Sequence, residues 1–323
     1  MGVYQMTITK NFYKTFSDLA CELMNQRQMS IYSSKFSKRE FTRHQLLTLL
    51  LLKTYVGKGY RHFTQFLEIS KIPEWLKLRK IPHYTTLQKF ASRQMVSELE
   101  KFLFASAKLA KNNCQRMGID ATGMSLMHAS KHYEKRIGQL VRKRNFMKCA
   151  LMADLDNQLV YSVKMRVKTR NDNLDFVPLW NKVKKEPFKW FYMDRGYDSD
   201  LNHGLVFQEG KTSFGCLKNL HIPIWRTQGQ YRKKAKRIRK HKKKNWRALI
   251  ETINSVIKRM FDNVIHAKNL HTMKVEMYLK LVTYNLYRLI SRNLLNVNFL
   301  YAVIRALFLE LLCLRYREMS MQC

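Results

Sequence analysis

Three carboxylates stand out in a chain that carries few: Asp120, Asp194 and Glu251 belong to only 23 acidic residues set against 60 Lys and Arg, for a net charge of +37. Asp120 follows the apolar Met117-Gly-Ile119, and Asp194 follows Phe191-Tyr-Met193. A carboxylate beside such runs is costly to desolvate, so each needs a reason to be there. An Asp in a turn or at a helix N-cap is the plain alternative for either one alone. Together with Glu251 they suit phosphoryl transfer on a nucleic-acid backbone. That chemistry asks little covalent work of side chains; it needs two divalent metals, about 3.5–4 Å apart, to activate the attacking oxygen and stabilise the leaving one. Hard Mg²⁺ takes oxygen ligands, hence two or three converging carboxylates.

Glu251 lies in Asn245–Phe261, whose apolar spacing predicts a helix. At about 100° per residue, Arg247, Glu251, Asn254, Lys258 and Asp262 share one wet stripe, and Leu249, Ile250, Ile253, Val256, Ile257, Met260 and Phe261 fill the buried face. One carboxylate between two cations on a rigid helix can combine a metal ligand with phosphate contacts. The same stripe also reads as an exposed face with ordinary i,i+4 pairs.

The elements that must position these residues change in texture near residue 115. Residues 1–112 read as short helices, with Thr42 capping one that carries Leu46 to Leu52, Gly57 and Gly59 breaking it, Tyr60 to Ile69 resuming, and Thr85 or Thr86 capping another. This region is expected to be a DNA-binding unit of helix-turn-helix type or a plain helical bundle. A short strand ending near Asp120 follows. Phe146–Ala153 and Leu159–Val167 form a hairpin about Asp156-Asn157, then come a helix at Asp175–Lys185 and a strand at Lys189–Asp194. Asp198 or Ser199 caps the next helix, and Ser213–Leu217 is a last strand. The result is an α/β fold, a mixed sheet with packed helices over residues 113–290, preceded by the helical unit. His271–Ile290 is a second amphipathic helix with Met277, Leu281, Tyr284 and Leu289 inward, and 291–323 is a helical tail.

Between the last strand and the Glu251 helix, Arg226 to Lys244 is dominated by Lys and Arg. It reads as a solvated run that would clamp phosphates through Lys233, Lys234, Arg237, Lys240, Lys243 and Lys244. The charge of the whole chain makes nucleic acid the expected partner. Six scattered cysteines without a Cys-x-x-Cys pair argue against a zinc ribbon or disulfide framework and fit a reducing compartment, so the chain is expected in the cytoplasm at the nucleoid. Leu46 to Leu52 is too short to cross a bilayer and Leu294 to Leu314 is broken by polar residues, so no membrane partner is expected. A Walker-type phosphate loop is missing, which removes a nucleotide cofactor and motor activity from consideration. His128 and His132 are spaced for a helical zinc pair but lack further ligands. Trp225, Tyr231, Trp246 and Phe214 could stack on bases or fill a core.

Over residues 113 to 290 the chain resembles the DDE transposases of bacterial and archaeal insertion sequences. The resemblance rests on Gly118-Ile-Asp120-Ala-Thr-Gly123, on Met193-Asp-Arg-Gly-Tyr-Asp198, and on the Arg-three-Glu-six-Lys spacing of Arg247, Glu251 and Lys258. Lys244 stands where many members carry a Tyr, which leaves open whether a hairpin intermediate forms. The resemblance implies an RNase H-like fold with Asp120, Asp194 and Glu251 as ligands of two Mg²⁺ ions, for which Mn²⁺ substitutes. Arg247 and Lys258 would contact phosphates near the cut. It further implies a homodimer acting on its transposon terminal repeats and on target DNA. Two alternatives remain: an RNase H-like nuclease or resolvase that cuts without joining, and a catalytically decayed DNA-binding protein.

Overall fold

The computed structural model describes residues 11–126, 146–167, 170–215, 217–241, 246 and 248–292. His128, His132, Lys243, Lys244, Arg247 and the 291–323 tail beyond Arg292 lie outside them. Six strands form one sheet: β1 (Arg116–Leu126), β2 (Phe146–Asp154), β3 (Leu159–Arg166), β4 (Trp190–Met193), β5 (Thr212–Gly215) and β6 (Val264–Ile265). Their order is β3-β2-β1-β4-β5, with β6 also on β1. β1, β2 and β3 run antiparallel, whereas β4, β5 and β6 join in parallel. This is a mixed sheet with helices packed on it.

β1 does not stop near Asp120 as expected but runs on to Leu126, because β2 pairs with it as far as Ser125↔Phe146 and Thr122 and Met124 turn inward. On its other side β4 leaves at Ile119 and β6 arrives only at Ser125. Asp120 therefore sits where one neighbour has just departed. The hairpin between β2 and β3 turns at 155–158, as its Asp156-Asn157 signal suggests, with Asp154 Oδ1 accepting the amides of Asp156 (2.8 Å) and Asn157 (3.2 Å).

Six helices precede the sheet: α1 (Phe12–Gln26), α2 (Arg43–Val56), α3 (Tyr60–Glu68), α4 (Ile72–Trp75), α5 (Tyr84–Ser92) and α6 (Val96–Ala107). Thr42 caps α2 in a reciprocal pair with Gln45, and Gly57 ends it at φ 71°, a left-handed turn that costs glycine nothing. The N-cap of α5 falls two or three residues earlier than expected. His83 takes the N-cap position, its Nδ1 accepting the Thr85 amide at 3.4 Å in place of Thr85 or Thr86 capping.

Four helices flank the later strands, α7 (Asn173–Val183), α8 (Asp200–Gln208), α9 (Gln230–His241) and α10 (Ala248–Phe261), and α11 (Leu270–Ser291) closes the described chain. α7 presses Phe176 and Trp180 onto Phe191 of β4, ring centroids 5.7 and 5.3 Å apart. α11 ties the N-terminal helices to the sheet. Its Asn285 accepts the Val160 amide (2.9 Å), donates to the Val160 carbonyl (2.8 Å) and to Ser106 (2.9 Å), so one side-chain amide pairs with β3 as a peptide would. Its Met277, Leu281, Tyr284 and Leu289 are all buried, as their periodicity predicts.

Candidate active site

The register of β1 and β4 brings the two aspartates together. Ile119 pairs with Met193, and the next residue of each strand is Asp120 and Asp194. Asp194 keeps extended angles (φ −76°, ψ 165°) before the chain turns at Arg195–Tyr197. Adjacent strands run about 4.8 Å apart and side chains alternate, so the two carboxylates leave the same face of the sheet. That face is opposite the one on which Met117 and Phe191 pair and α7 packs. α10 covers it: Asn254 Nδ2 donates to Asp120 Oδ2 at 2.9 Å.

Glu251 is exposed one turn before Asn254, and Lys258 is half-buried one turn after it. The helix bearing Glu251 and Lys258 is thus fastened to the Asp120 carboxylate itself. Lys258 also acts on the buried Cys149 of β2: burial pushes that thiol up to about 12, while Lys280 and Lys258 pull the other way. The stripe differs from expectation at one residue. Asn254 is 6% exposed, not wet, because α10 rolls onto β1 and brings its polar edge against Asp120.

The turn after Asp194 builds a second, buried cluster. Ser199 caps α8, accepting the Asn202 amide at 3.2 Å, which leaves Asp198 for other work. Asp198 receives Arg232 Nε (3.0 Å) and Nη2 (2.8 Å), the Lys218 amide (2.7 Å) and His203 Nε2 (3.2 Å). His203 Nδ1 in turn meets Ser213 Oγ on β5 at 2.8 Å. With its ring proton on Nε2, His203 donates to the carboxylate and accepts from the serine. Burial would raise Asp198, but the hydrogen bonds from His203, Arg232 and Lys218, with the Arg232 charge, bring it down to about 2.

Arg232 belongs to α9, so Gln230–His241 of the basic run is a folded helix where a solvated stretch was expected. Asp200 Oδ1 accepts the amides of Tyr231 and Arg232, both at 2.9 Å, at the start of the helix. Gly229 permits this at φ +85°, where a Cβ would lie 2.2 Å from that oxygen. Lys236 is buried and donates to the carbonyls of Ile222 and Asn219, and Arg239 Nη1 donates to the Gly215 carbonyl at 2.7 Å. Lys234 and Arg237 are exposed and Lys233 is half-exposed; the side chain of Lys240 lies outside the described residues. The aromatic candidates divide as well. Phe214 stacks on Tyr192, Tyr231 on Phe207, and Trp246 lies under the Arg116 guanidinium at 3.8 Å. Trp225 is 70% exposed.

Cys114, Asp154 and Asp156 also bring possible ligating atoms within 4.8 Å of one another. This group lies at the Arg116 end of β1, before Asp120, and its carboxylates already serve the hairpin. Asp154 is satisfied by the turn, and Asp156 accepts the amides of Gln115 and Arg116 (2.8 Å each) and pairs with the Arg116 side chain.

The family described as Transposase DDE domain matches residues 116–286, more than half of the chain. The chain belongs to that family. Among solved structures, a piggyBac transposase synaptic complex with hairpin DNA is similar at 9% identity and a TM-score of 0.45, over 87% of this chain and 74% of that one. No protein of curated function matches. Among the described residues, no helix is long and apolar enough to cross a membrane.

Proposed function

We propose that the chain is a DNA transposase that cuts at the ends of its own element and joins the freed 3′-hydroxyls to target DNA, with Asp120, Asp194 and Glu251 as metal ligands. One observation carries the reading: the Ile119–Met193 register sets Asp120 beside Asp194, and Asn254 ties the Glu251 helix to Asp120. This donor set fits a divalent cation. The ligands are hard carboxylate oxygens, which suit Mg²⁺ or Mn²⁺, and a buried acceptor without a donor, Asn254 Oδ1, adjoins them. When bound, a pair of such ions activates the attacking oxygen and stabilises the leaving one.

The protein's own part is positioning. Asp120 and Asp194 are held by strand register and so need little reorganisation. Lys258, with Arg247, grips phosphate near the scissile bond, and Lys233, Lys234 and Arg237, with Lys240, Lys243 and Lys244, hold the backbone further out. The Asp198 cluster fixes α9 against the strand ends, so Lys233, Lys234 and Arg237 act from a rigid element. The helices at 1–112 recognise the terminal repeats, two copies of the chain bring the two ends together, and the work is done in the cytoplasm at the nucleoid.

The test is incubation of the purified chain with DNA carrying the sequences that flank its own coding region, plus a target plasmid, in Mg²⁺ or EDTA. Free 3′ ends and joined products in Mg²⁺ alone are expected. Cutting without joining would favour a nuclease or resolvase, and DNA binding with no cutting in Mg²⁺ would favour a decayed protein.

A further inference from the structure

Asn254 breaks the pattern of its own helix. Ile250, Ile253 and Ile257 around it are wholly or almost wholly buried and apolar, and another aliphatic residue would serve if filling space were all that was needed. Instead the position holds an amide that is 6% exposed, with Nδ2 bonded to Asp120 Oδ2 at 2.9 Å and Oδ1 buried without a hydrogen-bond partner among the described residues. The amide cannot be reversed to cure this, since that would set its carbonyl oxygen against the carboxylate. Both atoms belong to one rigid group, so the unused acceptor lies beside Asp120, the neighbour of Asp194 where β4 ends. Buried acceptors without donors are rare and ask for an explanation.

We infer that Asn254 is the positioning residue of the metal site. Its Nδ2 fixes the rotamer of Asp120, committing one carboxylate oxygen to the protein. Its Oδ1 waits for an O–H donor, a water carried in by the hydrated cation, since Mg²⁺ keeps several of its waters on binding protein. α10 then presents a graded series at one-turn intervals: Glu251 toward metal, Asn254 behind it, Lys258 toward phosphate. This inference rests on the proposed metal site. Partners that orient a ligand in this way typically contribute about 10–100-fold to metal affinity.

The experiment is Mn²⁺ binding to the full chain without DNA, followed by electron paramagnetic resonance, in wild type, Asn254→Leu, Asn254→Ala and Asp120→Ala, with melting temperature and gel-shift DNA affinity measured in parallel. The expected result is Mn²⁺ binding weakened at least about tenfold in both Asn254 variants, with DNA affinity unchanged. If a folded Asn254→Leu binds Mn²⁺ within twofold of wild type while Asp120→Ala does not bind, the role of Asn254 is wrong and the metal site stands. If binding survives Asp120→Ala, the metal site itself is wrong. Should the Asn254 variants fail to fold, the wild type decides: its Asn254 side-chain amide resonances should shift on Mg²⁺ titration and stay fixed in Asp120→Ala. Unmoved resonances overturn the inference.

Discussion

Replacing Asp198 by Asn should loosen the basic helix and do so in a pH-dependent way. The side chain is fully buried and accepts from Arg232, His203 and the Lys218 amide. An Asn there turns one acceptor into a donor facing donors, and removing one partner of a buried ion pair costs about 3–5 kcal/mol. Part of that is titratable. The carboxyl is displaced from 3.8 to about 2, which at 1.36 kcal/mol per unit corresponds to roughly 2 kcal/mol of stability. The folded-state value is depressed, so this contribution is fully present above about pH 4 and is lost as pH falls toward 2; about half is gone at pH 3. Urea unfolding of wild type and variant at pH 7 and pH 3 reads it, because titrating groups remote from Asp198 cancel in the difference. The destabilisation should be roughly 1 kcal/mol smaller at pH 3. An equal destabilisation at both values would refute the account of Asp198 as the ionised anchor of α9.

The division of α9 between buried and exposed cations gives a second pair of outcomes. Changing Lys233, Lys234 and Arg237 to Ala should flatten the slope of log DNA affinity against log salt by about two to three, near 0.9 for each phosphate no longer neutralised, with no change in melting. Lys236→Ala should do the reverse, lowering stability while sparing the slope, because that ammonium is spent on carbonyls inside the fold. A slope that ignores the triple variant would mean that α9 faces away from DNA. Asn285→Leu should destabilise by about 3 kcal/mol in urea unfolding, since it strands the buried amide and carbonyl of Val160; a neutral result would deny that α11 is docked through that pair.

The candidate site and the mixed sheet are both legible in the sequence, and the details of the fold are less so. Asp120 and Asp194 stand out because each closes an apolar run, and a carboxylate beside a buried apolar run is expensive without a purpose. Glu251 follows from the 3.6-residue period of α10. The length of β1 is not legible, because a strand's end depends on which neighbours remain paired, here β2 and β6, and those pairings are far apart in sequence. The burial of Asn254 is hidden for a related reason. Helical period puts it on the polar stripe, and only the hydrogen bond to Asp120, 134 residues away, turns it inward. The basic run misleads through composition. Local charge predicts solvation, yet Asp198 and Asp200, some thirty residues earlier, recruit Arg232 and the start of α9 into the fold. One signal of this does lie in Met193–Asp198: with Ser199 supplying the helix cap, the aspartate that closes the motif is available to anchor a cation.

The central claim is that three carboxylates hold the metals that cut and join DNA, and its most direct measurement sets cleavage beside binding. Asp120→Ala, Asp194→Ala and Glu251→Ala should each abolish Mg²⁺-dependent cleavage and joining of element-end DNA while leaving its gel shift intact, because removing a carboxylate from a basic surface does not weaken attraction to phosphate. Lys258→Ala should instead weaken binding and turnover together. Carboxylate variants that cut at the wild-type rate would contradict the account.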